Sequence, residues 1–243
     1  MTNVLAYSFN AYVKNLKLLL LFSLAFIIAF LIPIFASIPT YNDAGSIFLR
    51  SASLFMNLNM LNASIIAIAI FFSLLFLSFS IVAINIVVKH SRTHLKIKEE
   101  VLKGIEKYIS KVFVVLLLFT VIILLVNLAF YNLGVSGIAT YIVVLALTPF
   151  LFYAPSSIVI DDFGVIRSIK ASLKFFVKRF DYFLLWLVLA ILVITFFDFI
   201  FIVGTGTVIS RYLMLVVNSL FILPFFVVLQ SEMYLKRFPL LKR

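Results

Sequence analysis

Residues 112–137 read VFVVLLLFTVIILLVNLAFYNLGVSG, and residues 138–160 continue IATYIVVLALTPFLFYAPSSIVI. Neither of the two apolar runs in this stretch, Val112–Leu133 and Ile138–Ile160, contains a charged residue. A helix needs about 20 apolar residues to cross the hydrocarbon core of a bilayer, so each run is long enough for one crossing. Both are too long for a transmembrane strand, and neither has the strict alternation of one. The small residues between them, Gly134-Val135-Ser136-Gly137, leave room only for a tight reversal. The stretch therefore predicts two helices that span a membrane as a hairpin.

The same pattern recurs outward in both directions. Apolar runs at about Leu16–Ile38, Leu61–Val88, Phe183–Gly204 and Tyr212–Met233 bring the total to six. The first run exceeds the roughly 7–15 apolar residues of a signal-peptide core and is predicted as a span. Over 243 residues the chain is 65% hydrophobic and 12% charged, against about 25% charged in soluble domains. This composition excludes a soluble enzyme, a disordered chain and a conventional nucleic-acid binder. The fold expected is all-α: one six-span membrane domain over residues 1–243.

Charge orients it. Eighteen of the 20 Lys and Arg residues fall in the N-terminal arm, the second and fourth loops and the tail, and only Arg50 and Arg211 lie on the other side. Basic residues near short loops stay cytoplasmic, so both termini are expected in the cytoplasm of a cell-membrane, multi-pass protein. The cytoplasmic side also holds seven acids, Glu99, Glu100, Glu106, Asp161, Asp162, Asp181 and Glu232, and so carries the whole net charge of +11.

The basic loops are patterned. In Ile97–Val112 the apolar residues Ile97, Val101, Leu102, Ile105, Tyr108, Ile109 and Val112 recur at three- and four-residue spacing, one face of a helix. Val165, Ile166, Ile169, Leu173, Phe176, Val177 and Phe180 repeat this in the fourth loop, and Val4, Leu5, Phe9, Tyr12, Val13 and Leu16 in the N-terminal arm. Three interfacial amphipathic helices are expected, each leading into a hairpin of spans, as three units related by rotation about the membrane normal. Their basic face, Lys103, Lys107, Arg167, Lys170, Lys174 and Lys178, is expected to meet anionic membrane lipid or an acidic partner. Asp161 or Asp162 is expected to cap the helix of the fourth loop.

Chemistry-bearing motifs are few. Gly134-Val135-Ser136-Gly137 spells the GxSG of rhomboid proteases, but the only histidines, His90 and His94, are expected across the membrane from Ser136. That histidine pair has a metal-ligand spacing, yet sits among Lys89, Arg92, Lys96 and Lys98, where a cation is unwelcome. Glu99-Glu100 falls short of the Glu-Glu-x-x-x-Arg pattern of membrane-embedded prenyl-protein proteases and reads as a helix pair with Lys103. Cysteine is absent. No catalytic residue, metal or cofactor is expected.

Polar groups inside the spans are the remaining candidates. Asp198 is the one ionisable residue well inside a run, where a carboxylate is costly and marks a functional site by default; it lies toward the outer leaflet, within reach of headgroups or Arg211. Asn127 and Asn218 are candidates for interhelical hydrogen bonds. Pro149, Pro155 and Pro224 are expected to kink or break their helices.

The stretch Pro155–Ser172, PSSIVIDDFGVIRSIKAS, resembles the hallmark of a broad six-helix family. In it a proline-bearing fourth span leads through an acidic-x-Gly turn into a basic, serine-containing amphipathic helix. The family includes the membrane domain of bacterial glycerophosphodiester phosphodiesterases and many stand-alone bacterial and archaeal membrane proteins. The resemblance implies six spans over nearly the whole chain. The phosphodiesterase barrel is missing from this sequence, so no catalytic residue carries over and hydrolysis is not implied. The function expected is a non-catalytic membrane component: a permease-like subunit, or a scaffold for a membrane-protein partner subunit. The alternative is a stand-alone transporter of a small or lipid-like solute; an enzyme acting on lipid ranks below both.

Overall fold

A computed structural model describes residues 2–50, 59–91, 97–131, 133 and 136–236. His94, Gly134, Val135, Arg237, Lys242 and Arg243 lie outside the described residues, as do the side chains of Lys98, Glu99, Glu100 and Ser136. Six helical segments are long and apolar enough to cross a membrane: Leu16–Phe35, Met60–Ser91, Val101–Tyr131, Gly137–Asp161, Phe180–Thr205 and Thr207–Leu235. They are called the first to sixth spans below, and the chain is a multi-pass membrane protein on that ground.

The helices proper are α1 (Thr2–Lys14), α2 (Leu16–Phe35), α3 (Met60–Ser91), α4 (Ile97–Tyr131), α5 (Ser136–Leu151), α6 (Ala154–Asp161), α7 (Val165–Lys178), α8 (Phe180–Thr205), α9 (Thr207–Val217) and α10 (Leu223–Leu235). Hydroxyls inside the spans mostly satisfy themselves one turn back: Ser23 donates to the Leu19 carbonyl and Ser78 to that of Leu74, each at 2.6 Å. Such a bond lets a serine sit in hydrocarbon without a partner helix. Ser80 is different; it donates to the Phe22 carbonyl at 2.8 Å and ties α3 to α2.

The second span is the hub. α3 packs against α2, α4, α6 and α10, and its fully buried Val82, Ala83, Ile84 and Val87 share one core with Phe26, Val112, Ile158 and Val228. The fifth span is at the other extreme. Of its most apolar stretch only 6% is buried, against 50% in the sixth span.

The structure adds to or departs from the sequence reading in three places. First, the helical fold gains one small element: Thr40–Asp43 (β1) and Ser46–Leu49 (β2) pair antiparallel between the first and second spans. Their turn residues Ala44 and Gly45 both have positive φ, 46° and 71°, as a two-residue hairpin turn of the right twist demands. Second, no separate amphipathic helix precedes the third span. Ile97–Val112 continues without interruption into α4, 35 residues long, or about 52 Å at 1.5 Å per residue. Its apolar face, Val101, Ile105, Tyr108 and Val112, is buried against α3 rather than left for lipid. A Cβ on Gly104 would lie 2.7 Å from Ile86 Cδ1, so the two helices meet there at close range. The repeated unit thus fails at its second copy. Third, the gap between the fifth and sixth apolar runs, Gly204 to Tyr212, holds almost no loop. Gly206 alone, at φ 77°, separates α8 from α9, a backbone conformation open chiefly to glycine.

The three prolines sit in different local settings. Pro224 occupies the first turn of α10, directly after a π-turn. The preceding Asn218–Ile222 forms a π-turn that absorbs the register change. Pro149 stands inside α5, and Pro155 in the first turn of α6. Between them, at Phe152–Tyr153, the fourth span is broken.

Candidate functional site

The break in the fourth span leaves backbone groups that a membrane interior cannot solvate, and two side chains from distant helices take them up. Ser172 of α7 is the wedge. Its hydroxyl accepts from the Tyr153 N–H at 2.9 Å and donates to the Pro149 carbonyl at 2.9 Å. Those two groups are an i, i−4 pair, which would bond each other in an unbroken helix. Gln230 of α10 donates its side-chain amide to the Phe152 carbonyl. Ser157, on the far side of the break, lies 3.3 Å from the Ser168 carbonyl and hands its proton mainly to Ala154 at 2.9 Å. The rings close around this: Phe152 lies edge-on to Tyr153, Phe183 and Trp186 with centroids 4.7–5.1 Å apart. A second buried network sits beside it, where the Ser231 hydroxyl is 2.7 Å from Asn85 Oδ1 and 3.5 Å from that of Ser156.

The C-terminal end of α6 is a meeting point for cations. Lys89 of α3 donates to the Val159 carbonyl at 2.7 Å, where a helix end favours positive charge. Lys107 and Lys111 of α4 both pair with Asp162, the second at 3.4 Å, and all three lysines stand 5.1–5.7 Å from the Tyr108 ring. The Lys107 ammonium holds the Asp162 carboxyl below the usual carboxylate range. Asp161 accepts from the Tyr234 hydroxyl at 2.6 Å. The expected capping role is thereby corrected. The N-cap position of α7 falls on Gly164, while Asp162, in a left-handed conformation at φ 57°, turns to α4 and Asp161 to α10.

The outward face of α7 forms the site. A groove of about 600 Å³ is lined by Phe163, Arg167, Lys170, Ala171, Lys174, Phe175, Lys178, Arg179 and Lys236. Six of these are cationic and none is acidic. Arg167, Lys170, Lys174 and Lys178 recur at three- and four-residue spacing and make one stripe along the helix. Phe163 lies under the Arg167 guanidinium at 4.2 Å. Arg179 is held by both oxygens of Asp181, at 3.1 and 3.2 Å, over the Tyr182 ring. Arg167, Lys170, Lys174, Lys178 and Lys236 form no ion pair among the described residues. The opposite face of α7, with Ser168, Ser172 and Phe176, is buried. One helix thus presents unpaired charge outward and wedges the fourth span inward.

The structure divides the basic face that the sequence predicts. Arg167, Lys170, Lys174 and Lys178 line the groove; Lys107 is committed to Asp162, and Lys103 is exposed on α4 away from the groove lining. Arg179 joins them as the residue that ends α7, and Lys236 enters only through the tertiary fold. The signal for Ser172 was present in the sequence: with Ser168 it interrupts the apolar face of α7 at four-residue spacing.

The intramembrane candidates separate. Asn218 donates to the Gly45 carbonyl at 2.8 Å, and Asn42 of β1 donates to the Arg211 carbonyl at 3.1 Å, so the β-hairpin is pinned onto the sixth span. Asn127 is buried and, among the described residues, reaches its own helix at the Ile123 carbonyl 3.5 Å away. Asp198 is half-buried on the fifth span and forms no ion pair with Arg211. Among the described residues no three His, Asp or Glu side chains gather where they could hold a metal. No family model, no curated protein and no solved structure matches the chain.

Proposed function

We propose that the protein is a non-catalytic membrane component, a permease-like subunit or a scaffold that holds a partner subunit in the bilayer, with its basic face and both termini in the cytoplasm. The observation that carries this is the fifth span. It runs 26 residues, buries 6% of its most apolar stretch in its own chain, and carries the half-buried Asp198. A carboxylate at the centre of a spanning helix costs about 2.5–3.5 kcal/mol on insertion scales, and Asp198, nearer the outer end of its helix, bears a part of that cost. A partner helix that supplies a hydrogen-bond donor beside Asp198 would lower that cost and cover the adjacent, exposed Phe199.

The same features weigh against the transporter alternative. Discontinuous spans line solute sites in carriers, but here the break at Phe152–Tyr153 is filled by Ser172, Gln230 and the aromatic cluster. The acidic-x-Gly turn Asp162-Phe163-Gly164 leading into basic α7 supports membership in the six-helix family named above. The positions of α1 and α7 ahead of the first and fifth spans support two of the three amphipathic units.

Photo-crosslinking in native membranes tests the proposal. A photoreactive residue at Phe199 should give a discrete protein adduct, and one at Leu21, also exposed but on the first span, should give lipid adducts only. Lipid adducts alone from both positions would remove the ground for a partner at the fifth span.

A further inference from the structure

We propose that the groove along α7 is a binding site for a phosphate-bearing anion with more than one negative charge, a phosphomonoester or diphosphate. The inference shares the membrane reading above but not the partner reading, and its test leaves the fifth span untouched.

Three features point to this ligand chemistry. The first is unpaired charge from separate elements. Four cations come from α7 and Lys236 comes from just beyond the end of α10, with no acid on the lining. A stripe that served only to set orientation during insertion would need no second element to face it. The second is that one cation is already positioned. Phe163 fixes the Arg167 guanidinium by stacking, and a guanidinium pairs with phosphate oxygens through two parallel N–H donors. Arg179, neutralised by Asp181, closes one end without adding net charge. The third is size and polarity. About 600 Å³ exceeds the need of a single phosphate and suits a diphosphate or a phosphorylated headgroup, while Phe163, Ala171 and Phe175 give the lining an apolar part.

The shape of α7 gives the site a consequence. Lys170 and Lys174 flank Ser172 in sequence and lie on the opposite face of the helix. An anion held by them would press α7 onto the bundle through the same helix whose Ser172 hydroxyl keeps the fourth span broken.

Such a phosphate can be carried by a lipid or free in solution. The full-length protein is therefore reconstituted in nanodiscs of zwitterionic lipid, with and without 10 mol% phosphatidic acid, and titrated separately with soluble pyrophosphate. Binding is read by native mass spectrometry and by thermal stability at 150 mM salt. Lys170→Gln with Lys174→Gln is compared with Lys14→Gln plus Lys17→Gln, an equal charge loss at exposed sites on α1 and α2. With two of five unpaired groove cations gone, affinity should fall at least about tenfold, and in the control less than about twofold. Retention of phosphatidic acid alone assigns the site to a lipid-borne phosphate; saturable pyrophosphate binding assigns it to a soluble one. If wild type retains neither probe, or if both double variants weaken equally, the basic groove is a diffuse surface potential and the proposal fails.

Discussion

Replacing Ser172 with alanine isolates the wedge in the fourth span. The side chain is fully buried and holds two backbone groups, the Tyr153 N–H and the Pro149 carbonyl, each at 2.9 Å. A buried backbone group left without a partner costs about 1–3 kcal/mol in proteins. Hydrogen bonds between transmembrane helices contribute less, averaging about 0.6 kcal/mol. These bounds bracket the loss for two groups at about 1–6 kcal/mol, and the low end applies only if Tyr153 N–H and Pro149 C=O can close on each other. Closure would straighten the span and move Tyr153, whose ring is fully buried against Phe152, Phe175 and Tyr234. We therefore expect about 2–3 kcal/mol, above the low bound. The assay is reversible unfolding in mixed micelles, followed by the fluorescence of the single tryptophan. Trp186 donates to the Phe226 carbonyl at 3.0 Å and stacks edge-on at Phe152, so it reports on this region directly. Ser64→Ala is the control, since Ser64 is exposed and bonds only the Met60 carbonyl of its own helix; it should change stability by less than about 0.5 kcal/mol. If the two variants unfold alike, Ser172 is incidental and the prolines alone break the span.

Other outcomes follow from named contacts. Cysteines placed at Lys103 and Lys174 should be labelled only from the cytoplasmic side and one at Asp43 only from outside; outside labelling of position 103 in intact cells would invert the topology. Gly45→Ala puts a Cβ 2.7 Å from that of Asn218 at a φ of 71°, so it should cost more stability than Asn218→Ala, which loses one hydrogen bond; near-neutral behaviour in a thermal scan would mean that the hairpin does not dock on the sixth span. Because Lys107 and Lys111 depress the Asp162 carboxyl, the ion pair adds stability that is present above the ordinary carboxylate pKa of about 4 and is lost as pH falls through the lower folded value. Wild type should therefore be more stable than Asp162→Asn at pH 7, and the gap should close below about pH 4; a gap that persists at pH 2 would assign the effect to packing.

The six spans are legible in the sequence because hydropathy is local and additive: Leu16–Phe35 is apolar whatever it packs against. So is the lopsided charge, since each lysine is counted without regard to its neighbours. What the sequence did not determine is which polar group meets which. Asp161 and Asp162 read as caps, because an acid before a helix has a local use; the fold brings Lys107, Lys111 and Tyr234 within reach, and those long-range partners take the carboxylates instead. Ile97–Val112 read as a helix for the membrane surface, because an apolar stripe does not name its partner; Ile86 and Gly104 let it lie on the second span. The groove depends on Arg167, Lys174 and Lys236 being brought together from two helices far apart in the chain. Burial and pairing are properties of a position in space, and only the tertiary structure assigns them.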